Sequence, residues 1–434
     1  MNTRSIPEDP VPVSPSPAAV QRRTLVVLVA MQVIGTVGVG VAPSIGVLLA
    51  GEVAGDEAWA GLARTASTLG AALFGLPLGT LAARRGRRAA LSTGWWTAAS
   101  GGALLVLAAQ LSLVAPLFVG LLLIGAGSAV SLQARFAATD LAEPAHRGRA
   151  LALVVWVGTL GSVVGPNLGV PGEAISRATG LTVFASAFLV AAVCLALAGV
   201  VAFAWLRPDP LSFVAHEADA LDAAPAEAPR GGRIRLILVE LRHSPGARYA
   251  VVAILTAQIV MVAVMTMTPV HIAHEGGSVT VVGVTISLHI VGMYALSPLV
   301  GLLADRLGAR PTIGIGIAVL LASLAIGAAL PDDMGAIVAS LILLGVGWSF
   351  ANVAGSALFS ASVPPAARAS SQGGVDAMAN LCGATAALAA GPLLAATSFA
   401  TLSLVSMALL VPLAAMTLRR PPSSGGREAA PEQA

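Results

Sequence analysis

Gly79-Thr-Leu-Ala-Ala-Arg-Arg-Gly-Arg-Arg88 and Gly301-Leu-Leu-Ala-Asp-Arg-Leu-Gly-Ala-Arg310 are two copies of one pattern, 222 positions apart. Working outward from them, further pairs fall in the same order. Gln32 and Pro43 match Gln258 and Pro269 at an offset of 226, and Gly125-Ala-Gly127 matches Gly345-Val-Gly347 at 220. Pro144-Ala-His-Arg147 matches Pro365-Ala-Ala-Arg368, and Gly165-Pro166 matches Gly391-Pro392. One such pair could be chance. Five concordant pairs describe a chain made of two parallel repeats.

Composition says what the repeats are made of. Of 434 residues, 56% are hydrophobic and 10% are charged, and the mean hydropathy is +0.87. Soluble proteins carry about a quarter charged residues, so a water-soluble enzyme is excluded. Apolar segments, each close to the length that crosses a bilayer, cover 24–50, 59–83, 89–110, 114–136, 149–171, 180–206, 249–270, 279–303, 312–330, 335–358, 371–396 and 398–418. That is an all-α integral membrane protein with twelve transmembrane helices in two pseudo-symmetric six-helix bundles. The expected organisation is a disordered tail over 1–23, a first bundle over 24–206 and a linker over 207–248. A second bundle over 249–418 and a tail over 419–434 complete it. Within the linker, 233–242 reads as a basic amphipathic helix lying on the membrane surface.

All 24 cations are arginine. With the N-terminus inside, all of them except Arg64, Arg135 and Arg177 fall in cytoplasmic segments, while Glu52, Asp56, Glu57, Glu173, Glu275, Asp332 and Asp333 face outward. The positive-inside rule therefore places both termini in the cytoplasm. Cys194 and Cys382 both lie in apolar segments and form neither a disulfide framework nor a metal-ligand spacing. A lysine-free chain cannot carry a phosphate-binding Gly-Lys-Ser/Thr loop, which excludes ATP-driven transport by this chain. No cofactor, metal or nucleic-acid signal is present. The expected partners are a small-molecule substrate, protons and the lipid bilayer, with the chain acting as a monomer.

Gly79–Leu91 resembles the loop 2–3 signature of the major facilitator superfamily, G-x-L-A-D-R-x-G-R-R-x-x-L, and Gly301–Arg310 resembles its second-half copy. The resemblance implies alternating access, with Gly79, Arg84, Gly86, Arg88, Gly301, Asp305, Arg306 and Gly308 forming a gating latch. It also implies a bacterial cytoplasmic membrane as the location. The signature's acid is kept as Asp305 and replaced by Ala83, which implies a one-sided latch: Asp305 near Arg306 and the inner end of span 5, and nothing equivalent at Ala83. A carboxylate at a helix N-terminus contributes about 0.3–1 kcal/mol. Gly161-Ser-Val-Val-Gly165-Pro166-Asn-Leu-Gly169-Val170 resembles the antiporter motif of superfamily drug exporters, with Val170 in place of its last glycine. Without that resemblance, the glycines read as a close-packing motif.

Polar residues inside spans are functional candidates. Asp376 is the in-span acid and His289 the mid-span histidine, and both are candidates for proton coupling. The alternatives are an interfacial acid and a histidine bonded to a neighbouring helix. Cavity candidates are Gln32 and Gln258 at matching depth, Met261 and Met265 on one face of span 7, Trp348, Asn352, Asn380 and Arg135. Arg135 either faces the cavity or pairs with Asp140 one turn on, and Arg64 near the outer end of span 2 reads similarly. Scarce charge at mid-membrane favours a neutral or weakly charged organic cargo. The expected activity is proton-coupled efflux. Import of a nutrient or vitamin and a non-transporting membrane sensor are the rival readings.

Overall fold

The computed structural model describes residues 16–56, 58–143, 146–213, 244–363 and 368–418. Among them there is no strand, and eleven helices are long and apolar enough to cross a membrane. One of the eleven, Ala58–Leu111, has 54 residues and leaves helical geometry at Gly86 (φ 85°, ψ 171°). That run would be about 80 Å long if straight. It turns back instead, bringing Leu78 against Gly94, and so supplies two crossings. Twelve spans result, and the first and last described helical residues, Pro17 and Leu418, lie at one face of the bundle, here called the terminal face.

Span 1 runs over Pro17–Val39, a π turn at Ala42–Gly46 that contains Pro43, and Val47–Ala54. Spans 2 and 3 are the two parts of Ala58–Leu111, and span 4 is Val114–Ala137. Span 5 comprises Arg147–Val164, a 3-10 turn at Gly165–Leu168 that contains Pro166, and Gly169–Thr179; span 6 is Val183–Trp205. In the second half, span 7 is Pro245–His274 and span 8 is Val279–Tyr294 followed by Ser297–Leu307. Spans 9 to 12 are Ala309–Ala329, Met334–Ser362, Arg368–Ala396 and Phe399–Leu418. Lipid cannot satisfy backbone polar groups, so helices are the available form. Side chains cap their starts: Thr182, Ser244 and Asp333 accept from the amides of Ala185 (3.1 Å), Ala247 (3.1 Å) and Ala336 (2.8 Å).

Span 1 begins seven residues earlier than the tail boundary expected from sequence. Ser16 and Pro17 supply a helix start. Polar residues that read as tail then tie the helix down. Gln21 donates to the Ala138 carbonyl at 2.8 Å, and Arg23 Nε donates to the Trp205 carbonyl at 3.3 Å. The amphipathic stretch 233–242 and the tail 419–434 fall outside the described residues.

The repeat holds at the level of contacts. Gly125 of span 4 packs on Ser67 and Ala71 of span 2, and Gly345 of span 10 packs on His289 and Met293 of span 8. Gln32 lies over Gly158 of span 5, just as Gln258 lies over Gly383 of span 11. Small residues at these crossings let helices approach where no hydrophobic driving force exists between them.

Each half has its own apolar core, and the cores join only away from the terminal face. Val47 and Ala60, with Leu48 and Val163 beside them, pack into the second half's cluster, while Val279 packs into the first.

Candidate functional site

The seam between halves is closed at the face opposite the termini. There, Asn167 of span 5 donates to Ser287 of span 8 at 2.6 Å, Ser287 donates to the Val163 carbonyl at 2.6 Å, and Thr65 of span 2 donates to the Ala384 carbonyl of span 11 at 2.9 Å. A methyl group on Gly283 would stand 2.6 Å from the Pro166 carbonyl oxygen, and one on Gly391 would stand 2.6 Å from that of Ala58. Every hydrogen bond described between the halves lies in this region. Toward the terminal face none bridges them among the described residues. Asp376, Asn380 and Trp156 are exposed there.

At this seam and below it, charged and aromatic groups from both halves face each other. Arg64 of span 2 acts electrostatically on Tyr294 and His289 of span 8. Arg135 of span 4 acts on the same Tyr294 and on Asp376 of span 11, whose carboxylate also accepts a hydrogen bond from Gln372. The rings of Tyr294 and Trp348 meet edge to face, 6.0 Å apart at 71°. Trp348 Nε1 donates to Gln258 Oε1 at 2.9 Å. The arrangement can hold a flat organic molecule against the aromatic pair and hydrogen-bond its polar edge.

The sequence candidates separate accordingly. Arg135, Asp376, Gln258 and Trp348 come together. Arg135 is not the partner of Asp140: Arg87 takes that carboxylate in two bonds of 2.8 and 3.0 Å and also reaches Gln133 at 3.1 Å. The near neighbour in sequence lost to a fork that crosses from the corner after span 2 to the turn beyond span 4. Asn380 donates to the Asp376 carbonyl one turn back, and Asn352 is half-buried. Met261 and Met265 sit inside the second half's core, at 4% and 5% exposure, and so do not line an open cavity. Gln32 is buried with Oε1 unpartnered. His289 is sealed between spans 8 and 10, its Nδ1 2.7 Å from the Leu341 carbonyl.

Latch residues behave unequally. Gly86 and Gly308 both take positive φ, 85° and 90°, at the corners after spans 2 and 8. Gly79 faces the Gln133 amide, while Gly301 faces open space. Arg84, Asp305 and Arg306 are exposed, and neither Asp305 nor Arg306 is in an ion pair among the described residues. The vacancy expected at Ala83 is filled from elsewhere. Asp209, just beyond span 6, lies against Gly86, accepts from the Arg88 amide at 2.7 Å and caps its own turn through the Leu211 amide at 3.0 Å. A side chain on residue 86 would collide with that carboxylate. Arg88 stacks over Phe203 at 5.3 Å, and its counterpart Arg310 stacks over Tyr249 at 5.1 Å.

The antiporter-like glycines divide their work. Gly161 packs against Thr36 and Val33 of span 1, Gly165 against Gly40, and Gly169 against Val279 across the seam. Pro166 breaks span 5 into its 3-10 turn at this point.

Sequence reasoning undervalued two residues. Arg64 read as either a cavity residue or a helix-end cation, and Tyr294 is not among the candidates named from sequence. The available signal was that Arg64 stands six residues inside its helix, too deep for an end position.

The family model for the Major Facilitator Superfamily matches residues 24–276 and 250–434. YddS of Bacillus subtilis, an uncharacterized MFS-type transporter, is 36% identical over 404 residues, covering 92% of each chain. The riboflavin transporter RfnT of Brucella anthropi is 30% identical over 417 residues, 95% of this chain and 99% of that one. Among solved structures, a bacterial homologue of the human lysosomal transporter Spinster, inward-facing and unoccupied, aligns with a TM-score of 0.69 at 15% identity, covering 92% of this chain and 96% of that one. Two matched six-span halves, a seam shut at one face and relatives of this length have one meaning: the chain belongs to the major facilitator superfamily and is a membrane transporter, not an enzyme.

Proposed function

We propose that the protein exports a small organic molecule in exchange for protons, by rocking its two halves about the groups between them. The observation that carries this reading is the cross-half set of Arg64, Arg135, Tyr294, Trp348 and Asp376 at and beneath a seam closed at one face only. Arginine placement assigns the terminal face to the cytoplasm, so the cleft opens inward, in the cytoplasmic membrane of a bacterium. One chain supplies both halves and works as a monomer.

Asp376 is the proton carrier. It is exposed and faced by Arg135 of the other half, so protonating it removes the negative charge that Arg135 acts on. His289, sealed against Leu341, holds spans 8 and 10 together. Export is supported by the antiporter-like run Gly161–Gly169, which packs span 5 onto span 1 and, through Gly169, onto span 8. The second reading is import of a small nutrient or vitamin, and similarity to a riboflavin transporter over 95% of the chain supports its cargo.

Inside-out and right-side-out vesicles, each with an imposed proton gradient, separate the two. Export predicts gradient-dependent accumulation of a candidate cargo in inside-out vesicles. Accumulation in right-side-out vesicles alone would establish import.

A further inference from the structure

Arg64 is a cation without an answering charge. Among the described residues its guanidinium makes no hydrogen bond or ion pair, and its Nε is buried without a partner. The nearby hydroxyls do not compensate it. Ser67 and Thr68 donate to its backbone carbonyl at 2.9 and 3.0 Å. The groups it acts on across the seam are Tyr294 and His289, and neither brings a negative charge at neutral pH. Asp376, the carboxylate of the cleft, answers Arg135 instead.

The Arg64 side chain is half-buried and its Nε is cut off from any partner, and within a membrane an unpaired cation marks a ligand path. The other charges of the cleft are of opposite sign, Arg135 facing Asp376, and Trp348 and Gln258 satisfy each other by a hydrogen bond. One positive charge is left over, beside an aromatic pair. A guanidinium matches a carboxylate in a planar two-bond fork.

We propose that Arg64 receives the acidic group of the cargo, which makes the substrate class an aromatic organic monoanion with its ring against Tyr294 and Trp348. The inference rests on the transporter reading above and narrows the neutral or weakly charged cargo expected from composition.

The test uses matched acid and amide pairs, indole-3-acetate with indole-3-acetamide and 1-naphthoate with 1-naphthamide, on the full-length protein. Binding is measured in nanodiscs and transport in proteoliposomes. The expected result is that each acid binds at least tenfold more tightly than its amide. Arg64→Gln abolishes that preference, and Arg64→Lys keeps part of it. The ligand-free Arg64→Gln protein melts no lower than the parent, because the substitution removes an unanswered charge rather than a structural bond. Equal binding and transport of acid and amide would overturn the inference and leave the transporter reading standing, as would a preference that survives in Arg64→Gln. A lowered melting temperature in that variant would make Arg64 structural and overturn the inference as well. If neither member of any pair is bound or transported, the small-organic-cargo reading and this inference both fall.

Discussion

Gly283→Ala tests whether the seam is a working gate. Its new methyl group would stand 2.6 Å from the Pro166 carbonyl oxygen, 3.0 Å from Asn167 Oδ1 and 3.2 Å from Asn167 Cα. Two of those atoms are backbone held in a 3-10 turn, so relief requires spans 5 and 8 to part by roughly 1 Å to reach ordinary contact. Such overpacking costs about 1–3 kcal/mol, and the same movement stretches the two 2.6 Å bonds made by Ser287. The penalty falls only on the closed state, because the surfaces are apart when the gate opens. The closed-to-open ratio therefore falls by about 5- to 150-fold. Gly61→Ala, 222 positions earlier, drives a methyl group into the Ala387 carbonyl of span 11 and adds a second, independent wedge. Gly51→Ala is the control, since nothing lies within 4 Å of its methyl group. Spin labels at the exposed positions Glu173 and Asp332, in a background lacking Cys194 and Cys382, report the gate by double electron–electron resonance. A longer distance component should grow in Gly283→Ala and again in the double variant. An unchanged distribution in the double variant would refute a gate at this seam.

Three further outcomes are expected. Arg87→Ala or Asp140→Ala should each destabilise the protein by about 2–3 kcal/mol, because the fork is charge-assisted and mostly buried. Thermal melts should show the double variant losing less than the two single losses combined. Asp209→Ala should cost about 1 kcal/mol as a lost helix cap, and Asp209→Asn less; equal melting temperatures for all three proteins would discount the cap. Asp376→Asn should abolish gradient-driven transport while leaving substrate counterflow intact, and a pH dependence identical to the parent would remove Asp376 from the coupling step.

The twelve spans and the two-fold repeat were legible because apolar length and residue offsets are one-dimensional properties. Even the corner after span 2 was marked by glycine and arginine. Partner choice was not legible. Asp140 lies five residues from Arg135, yet the chain folds Arg87 onto it from 53 positions away. Asp209 reaches the Arg88 amide across 121 positions, and no local pattern announces that a residue beyond span 6 stands in for Ala83. Met261 and Met265, four residues apart in span 7, share a face. Which way that face points depends on helix rotation inside the bundle, and it points into the core.

Gln32 and Gln258 rest on equivalent glycines, but only Gln258 meets an indole. The position matching Trp348 in the first half is Ser128, 220 residues earlier, and Gln32 Oε1 stays unpartnered. Halves that share one blueprint have therefore ceased to be interchangeable. The surface they turn toward each other thus has a front and a back.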